Sequence, residues 1–411
     1  MINTGKLSGL TIFITGASRG IGKEIGKKVA KDGANVVIAA KTAEPHPKLK
    51  GTVYTAAAEI EEAGGKCLPC VVDVRDEAQV AFAIEKAIEK FGGIDIVINN
   101  CSAISLTGTL ETDIKRYDLM NNVNARGTFL TSKLCLPHLL KSRHPHILNI
   151  SPPLNLNPVW FKQHVAYTIA KYGMSMCALG MAEEFKNDKI GVNCLWPRTA
   201  ILTAAIEMLS GPEAGKACRK PDIMADAAYA ILCKDPALCT GNFFIDDEIL
   251  AKEGITDFDQ YLVDPTNKVD LLPDFFLDSI PSYSSVDASE KISDNSSNDL
   301  KNKVDHMFNI IKKSLSSNLV QNTQAVYQFN TTDGQHSWYV DLKNGSGAAG
   351  SGKAASTPDT ILIANLSDVF DILSGKAKPV NAVFSGKLKI KGNMQKAMKL
   401  EKLMLILKSK L

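Results

Sequence analysis

The chain has 411 residues, enough for two or three domains. Apolar residues at 45% and charged residues at 22% fit a globular protein with a real core and exclude a disordered, collagenous or disulfide-dense chain. The net charge of +3 divides unevenly, because 16 lysines and 7 acidic residues from Leu300 onward amount to +9 and leave −6 for the preceding 299 residues. Such a split predicts two modules. The basic one suits anionic head groups, acyl phosphates or peripheral contact with a membrane surface, and it equally suits a plain solvated face. No nucleic-acid partner is expected. No run approaches the ~18 apolar residues of a membrane span, and the first thirty residues lack the order of a secretory signal, so a chain made and kept on the cytosolic side is expected. Nine cysteines without framework spacing fit reduced thiols. Cys67-Leu-Pro-Cys70 has the spacing of a redox pair, but it lies in an extended run and reads as buried small residues.

From residue 10 to about 245, short β-branched runs alternate with helical stretches, the pattern of an α/β doubly wound parallel sheet. Strands are predicted at 10–15, 35–40, 67–74, 94–99, 146–150 and 190–196. Helices are predicted between them, including 20–32, closed by Gly33, and 77–91, ended by Gly92-Gly93. Around 281–302 Ser, Asp, Asn and Lys displace apolar residues, which marks a linker. The expected division is a first domain over 1–281, a linker over 282–302 and a smaller α+β module over 303–411. Within that module a helix is predicted over 304–315, strands at 325–329, 337–342 and 360–364, and a Gly/Ser/Ala tract lies at 345–356. A helix at 366–373, an apolar run at 382–390 and a last helix over 393–407 complete it.

The segment Thr11 to Thr15 runs into Gly16-Ala17-Ser18-Arg19-Gly20-Ile21-Gly22, a strand passing through a glycine-rich turn into a helix. Glycines there let the backbone approach a diphosphate, and the helix N-terminus offers unpaired N–H groups with a favourable dipole. At the end of the next strand, where an acidic residue would accept from a ribose 2′-hydroxyl, stands Lys41. A cation there, with Arg19 in the loop, would pair with a 2′-phosphate, so NADP(H) is the expected cofactor. Asp73 is placed to accept from the adenine edge and Asn99 to lie where the cofactor crosses the sheet; either could instead be a simple turn-former. Tyr167 and Lys171, four apart in a helical stretch, project from one face. An ammonium beside a phenol favours the phenolate and makes tyrosine usable as an acid and base.

Taken together, Thr15-Gly16-x-x-x-Gly20-x-Gly22, Asn99-Asn100, Asn124 in Asn-Ala-Arg-Gly, Ser151 and Tyr167-x-x-x-Lys171 resemble the short-chain dehydrogenase/reductase family over residues 8 to 245. The resemblance implies a Rossmann-type fold and homo-oligomers. It also implies that Tyr167 is the proton donor and acceptor, that Lys171 binds the nicotinamide ribose, that Asn124 holds a relay water and that Ser151 polarises the substrate carbonyl. Two departures stand out. Ser151 precedes Tyr167 by sixteen residues where about thirteen is usual, with Pro152 where a second serine is common; either the loop 152–164 still delivers Ser151 or the hydroxyl is missing. Cys101-Ser102 replaces the usual Ala-Gly after the two asparagines. His164 in the same loop reads as a second acid or as a surface or cofactor-facing residue. The apolar stretch 204–209 reads as a substrate lid suited to a greasy molecule.

In the last module, Trp338 to Lys343, Phe384 to Asn393 and Ala397 to Leu403 resemble the sterol carrier protein-2 domain, which implies binding of a lipid or acyl ligand in an apolar tunnel. The chain ends in Ser409-Lys410-Leu411, an address read by the peroxisomal import receptor. A peroxisomal location is therefore expected, with a mitochondrial one left open. The leading expectation is an NADP(H)-dependent oxidoreductase of a hydroxyl or carbonyl on a hydrophobic, lipid-derived substrate, and no metal. The alternative is a lipid-binding or transfer protein whose dehydrogenase domain binds cofactor and turns over little.

Overall fold

The structure, a computed structural model, describes residues 1–45, 51–204, 206, 212–267, 271–277, 294–315, 317–374, 379–384, 387–392 and 396. Two compact units divide it, Met1–Asp278 and Ser279–Leu411. Among the described residues no helix is long and apolar enough to cross a membrane.

The first unit is built on seven parallel strands: β1 (Thr11–Thr15), β2 (Asn35–Ala40), β3 (Lys66–Val71), β4 (Ile96–Asn99), β5 (His146–Asn149), β6 (Gly191–Trp196) and β7 (Phe243–Ile245). Their order is β3-β2-β1-β4-β5-β6-β7, so the chain reverses its direction of travel across the sheet between β1 and β4. Side chains alternate along β1. Ile12 and Ile14 join one buried cluster, with Ile25, Val29 and Ile60 of the covering helices, while Phe13 joins the other, with Val80, Leu139 and Met181. Both faces are buried, which accounts for β-branched runs without polar alternation. The crossovers are α1 (Gly20–Ala30), α2 (Val53–Glu62), α3 (Glu77–Phe91), α4 (Ile114–Met120), α5 (Gly127–Leu139), α6 (Val165–Glu184) and α7 (Asp222–Leu232), with α8 (Asp246–Lys252) after β7. Gly92, at φ +87°, closes α3 in the left-handed conformation that glycine adopts without strain.

β3 carries Cys67 and Cys70. It is an edge strand, pairing only with β2, and that is where Pro69 can sit without costing the sheet a ladder bond. Burial pushes the two thiols up to about 12 and about 11, so neither offers the thiolate that redox exchange needs.

The second unit holds a separate mixed sheet of β8 (Ala325–Thr331), β9 (Ser337–Leu342), β10 (Ala348–Ser351), β11 (Thr360–Ala364) and β12 (Leu388–Gly392), in the order β10-β9-β8-β11-β12. Its helices are α9 (Asp294–Lys313), α10 (Ser317–Thr323), α11 (Leu366–Leu373) and α12 (Pro379–Phe384). α9 starts well before the expected residue 304, inside the expected linker, because its first turns are polar and only Val304, Met307, Phe308 and Ile311 form a buried stripe. Within the tract 345–356, Ala348–Ser351 pairs with β9 through backbone bonds that small residues do not announce. The indole of Trp338 stacks on Phe308 at 5.7 Å and donates to Asp305 Oδ1 at 2.6 Å, joining β9 to α9. The expected last helix, apart from Lys396, and the terminal Ser409-Lys410-Leu411 lie outside the described residues, as does the expected linker over 282–293.

At the N-terminal side of the first unit, Asp226 on α7 accepts from Tyr261 Oη at 2.6 Å and pairs with Lys28 of α1 at 2.7 Å, all three being largely buried. Deleting one member leaves the buried ammonium without its counter-charge. Asp226→Ala is therefore expected to destabilise the first unit by roughly 3 kcal/mol, measured as the shift of its chemical-denaturation midpoint.

Candidate active site

Because every strand of the first sheet runs the same way, the residues after each strand gather along one edge. The loop 16–19 follows β1, Lys41 follows β2, Asp73 and Arg75 follow β3, Asn100 follows β4, Ser151 follows β5 and Arg198 follows β6. The reversal between β1 and β4 opens a crevice at that edge, the usual ligand site of such sheets.

The crevice floor is the glycine turn. Gly16 and Gly20 have φ of +69° and +58°, and a Cβ on Gly16 would come within 2.9 Å of the Cys101 backbone. On Gly22 it would come within 2.5 Å of Asn100 Nδ2. Asn100 explains the tightness: its amide donates to the carbonyls of Thr15 and Gly16 at 3.0 and 3.1 Å, and its backbone N–H donates to Thr15 Oγ1 at 3.0 Å. Helix α1 then starts at Gly20 with no side-chain cap and no acidic residue in its first turn, so its leading N–H groups stay available to an anion. Ala17 and Ser18 are buried in the turn, and Ile21 is partly buried at the head of the helix. Arg19 Nη2 donates to the Gly51 carbonyl at 2.9 Å, while its buried Nε has no partner and burial lowers its pKa. A glycine cradle, a free helix N-terminus and an unpartnered guanidinium nitrogen fit the diphosphate of a dinucleotide.

At the ends of β2 and β3, Lys41 approaches Asp73 at 3.2 Å and Arg75 pairs with the same carboxylate through Nε and Nη2. This pairing holds Asp73 well below the usual carboxylate range. Sequence reading missed Arg75, whose role comes from a turn that folds it back onto Asp73. It named Lys41, which is mostly exposed.

The placement of two expected residues needs correction. Asn99 faces away from the crevice: its amide donates to Ser132 Oγ at 2.9 Å and Asn149 Oδ1 at 2.8 Å, tying β4 to β5 and α5. Ser151 is fully buried, and its hydroxyl donates to Cys194 Sγ of β6 at 3.3 Å, a contact with the core. The physical cause is local. β5 ends at Asn149 and Pro152, itself buried, follows Ser151, so the position where a second serine is common carries a ring without a hydroxyl.

Tyr167 and Lys171 stand on the first turns of α6, both almost wholly buried. Lys171 Nζ donates to the Ile150 carbonyl at 2.9 Å and lies 5.1 Å above the Trp196 ring, which pins the helix to the ends of β5 and β6. Burial lowers its pKa to about 8, and it raises that of Tyr167, with Asp274 adding to the rise. Asn124 sits in a π-helical turn, Asn121–Arg126, between α4 and α5, a distortion frequent at functional sites. Its side chain exchanges two hydrogen bonds with the Ala103 backbone, at 2.7 and 3.0 Å. Gly173 brings α6 onto that turn, since a Cβ there would meet Ala125 at 2.5 Å. His164 is not at the surface: it is buried, bonded to Thr168 Oγ1 at 3.0 Å and edge-on to Tyr167, and burial lowers its pKa. Phe276, in the segment 271–277, packs on Tyr167 at 6.2 Å; no sequence signal pointed to it. The expected lid, 204–209, falls largely outside the described residues.

Residues 10–209 match the model for short chain dehydrogenase and residues 305–405 that for the SCP-2 sterol transfer family. Hydroxysteroid dehydrogenase-like protein 2 of Danio rerio is 60% identical, with 100% of this chain and 99% of that protein covered. The protein of the same name from Bos taurus is 59% identical, with the same shares covered. The crystal structure of a short chain dehydrogenase from Mycobacterium thermoresistibile is similar over 66% of this chain and 96% of its own, at 50% identity and a TM-score of 0.63. A nicotinamide-binding type of parallel sheet, a glycine cradle at its reversal and near identity of domain order from end to end lead to one conclusion: the chain belongs to the family of hydroxysteroid dehydrogenase-like protein 2, a short-chain dehydrogenase domain followed by an SCP-2 domain.

Proposed function

We propose that the first unit is an NADP(H)-dependent oxidoreductase that interconverts a hydroxyl and a carbonyl on a hydrophobic, lipid-derived substrate, with Tyr167 moving the proton. The observation that carries this reading is the juxtaposition of Tyr167 and Lys171 on one buried face of α6, at the sheet edge that also holds the glycine cradle. A nicotinamide cofactor supplies or accepts the hydride. Gly16, Gly20, Gly22 and the head of α1 hold its diphosphate, and Lys171 donates to its ribose. Lys41 and Arg75, converging on Asp73, give a 2′-phosphate two cations and support NADP(H) over NAD(H). Burial keeps the Tyr167 phenol protonated, which suits donation to an oxygen becoming an alkoxide; in the reverse direction Tyr167 takes the hydroxyl proton. With Ser151 facing Cys194, Tyr167 polarises the carbonyl without the usual serine, and turnover is correspondingly modest.

The same displaced hydroxyl favours a second reading, in which the protein mainly binds or transfers lipid through its SCP-2 domain. The relatives' name speaks of hydroxysteroids and the matched family of sterol transfer, both consistent with a greasy ligand. The ending Ser409-Lys410-Leu411 supports a peroxisomal location, and the family resemblance supports homo-oligomers.

Three outcomes are expected. Lys41→Asp weakens NADPH binding about tenfold or more and leaves NADH binding little changed, read by fluorescence titration; equal loss of both would remove the 2′-phosphate assignment. Tyr167→Phe lowers reduction of a panel of long-chain ketones about 100-fold or more while NADPH affinity is kept; retained turnover would refute the assignment of Tyr167. Removing residues 409–411 releases the protein from peroxisomes into the cytosol in imaged cells, and unchanged distribution would overturn the location.

A further inference from the structure

The loop between Ser151 and Tyr167 carries a short turn, Pro158–Trp160, which Asn157 caps by accepting from the Val159 N–H at 3.1 Å. The Trp160 carbonyl accepts from Thr168 Oγ1 at 2.5 Å, so the turn is tied to α6 one residue beyond Tyr167. The Trp160 indole packs on Phe276 at 5.9 Å, and Phe276 packs on Tyr167 at 6.2 Å. Trp160 and Tyr167 thus share one ring as a neighbour.

Phe276 is held there from outside the loop. The segment 271–277 is fastened to the end of β6: Thr199 and Pro273 form an antiparallel bridge, and the Asp274 N–H donates to the Arg198 carbonyl at 3.0 Å. Asp274 Oδ1 accepts from the Phe275 N–H at 2.7 Å. Phe276 then turns the chain at φ +73°, a conformation that a bulky residue adopts only where its surroundings impose it. The place of Trp160 relative to Tyr167 is therefore set from two sides, by Thr168 and by Phe276.

The chain has three tryptophans, and their indole N–H groups are not alike. Trp196 donates to the Phe275 carbonyl at 2.9 Å and Trp338 to Asp305 Oδ1 at 2.6 Å. Trp160 Nε1 is buried and has no acceptor among the described residues. A buried indole N–H ordinarily finds a partner, and leaving it unmet costs free energy comparable to a lost hydrogen bond. The cluster around Tyr167 is apolar, formed by Met120, Ala166, Ala170, Trp196, Ile245 and Phe276. Two polar groups beside it are engaged, His164 Nδ1 with Thr168 Oγ1 at 3.0 Å and the Tyr172 hydroxyl with the Asn155 carbonyl. An unmet donor in apolar surroundings is the pattern by which a site selects for an oxygen on its ligand.

We propose that Trp160 is a specificity-determining residue of this centre: its indole N–H donates to a second oxygen of the substrate, while Tyr167 serves the reacting carbonyl. The substrate class narrows from a lipid ketone or alcohol to one that carries a further acceptor oxygen, such as an ester carbonyl or a hydroxyl. That oxygen lies a few bonds from the reacting carbon, because Trp160 and Tyr167 pack on the same ring. The assignment rests on Tyr167 being the acid and base of the reaction. A plain hydrocarbon chain beside the indole would leave its N–H unmet, whereas an oxygen meets it, so Trp160 discriminates between substrates without taking part in the proton step.

The test compares keto methyl esters, with the ester at stepped distances from the ketone, against plain ketones of matched length, using full-length protein and NADPH. Trp160→Phe keeps a ring against Phe276 and removes the donor. It is expected to lower kcat/KM for the best ester about tenfold or more, and for its matched ketone less than about threefold. An equal fall for both would overturn the proposal, placing the indole at the reacting carbonyl or in packing alone, and so would no fall for either. A second readout needs no turnover. In protein with 15N-labelled indoles, Trp196→Phe and Trp338→Phe assign two of the N–H signals and leave that of Trp160. With NADP+ bound, which cannot reduce a ketone, the Trp160 signal is expected to move downfield on adding the ester and to stay in place with the ketone. No ester-dependent shift would overturn the proposal, whether or not Trp160→Phe folds. Failure of the unsubstituted chain to turn over every ester and ketone would instead defeat the oxidoreductase reading, and the indole signal would still decide the role of Trp160.

Discussion

The contact on which the crevice depends is the one between the turn after β1 and the end of β4. Two strands adjacent in space but far apart in sequence deliver Gly16 against the Cys101 backbone and Gly22 against the Asn100 amide, with no room for a side chain at either point. Asn100 holds the loop by three hydrogen bonds, so the glycines are where they are because an asparagine grips their carbonyls. Conformational freedom at Gly16 and Gly20 alone would leave the loop mobile. The grip converts that freedom into a fixed cradle, which lowers the ordering cost of binding a diphosphate.

A second constraint is burial without neutralisation. Tyr167 and Lys171 lie where water is scarce, and desolvation pushes a phenol and an ammonium toward their neutral forms. In such surroundings each nearby charge counts for more than it would at the surface. Lys171 is held by a carbonyl and an aromatic face, neither of which carries a full charge. The environment of the pair is therefore set less by the four-residue spacing that identifies it than by groups arriving from β6 and from 271–277.

This division explains what could be read in advance. The glycine turn, Lys41 and the Tyr167/Lys171 pair were legible because each is written in consecutive or helically spaced residues whose meaning does not depend on the rest of the chain. Asn99 and Ser151 stayed open between two readings because spacing gives the element that a residue belongs to and not which way its side chain turns. At a strand end a shift of one position exchanges one face for the other: Asn99 bonds Ser132 and Asn149 in the core, and Asn100 bonds the glycine turn. Arg75, Phe276 and Asp274 carried no signal at all. Their roles arise from a two-residue turn and from a segment about a hundred residues downstream of α6, and neither can be seen before the chain is folded. In the second unit the alternating strand at Trp338 was evident, whereas β10 and the first turns of α9 were hidden by small or polar residues that satisfy backbone bonds without an apolar pattern.

Pro152 connects these strands of argument. Pro152 follows Ser151 where the family commonly has a second serine, and a proline there offers neither a hydroxyl nor a backbone donor. The chain does not compensate by redirecting Ser151, which fills a gap between β5 and β6 beside Cys194. In the proposed reaction, polarisation of a carbonyl would then fall to Tyr167, whose phenol burial keeps protonated. A substrate presented at high local concentration reduces the demand on rate, and a lipid-binding domain on the same chain is a means of presenting one. On the proposed reading the two features belong together: the missing serine hydroxyl slows the chemistry, and the tethered second domain offsets this by presenting a poorly soluble substrate.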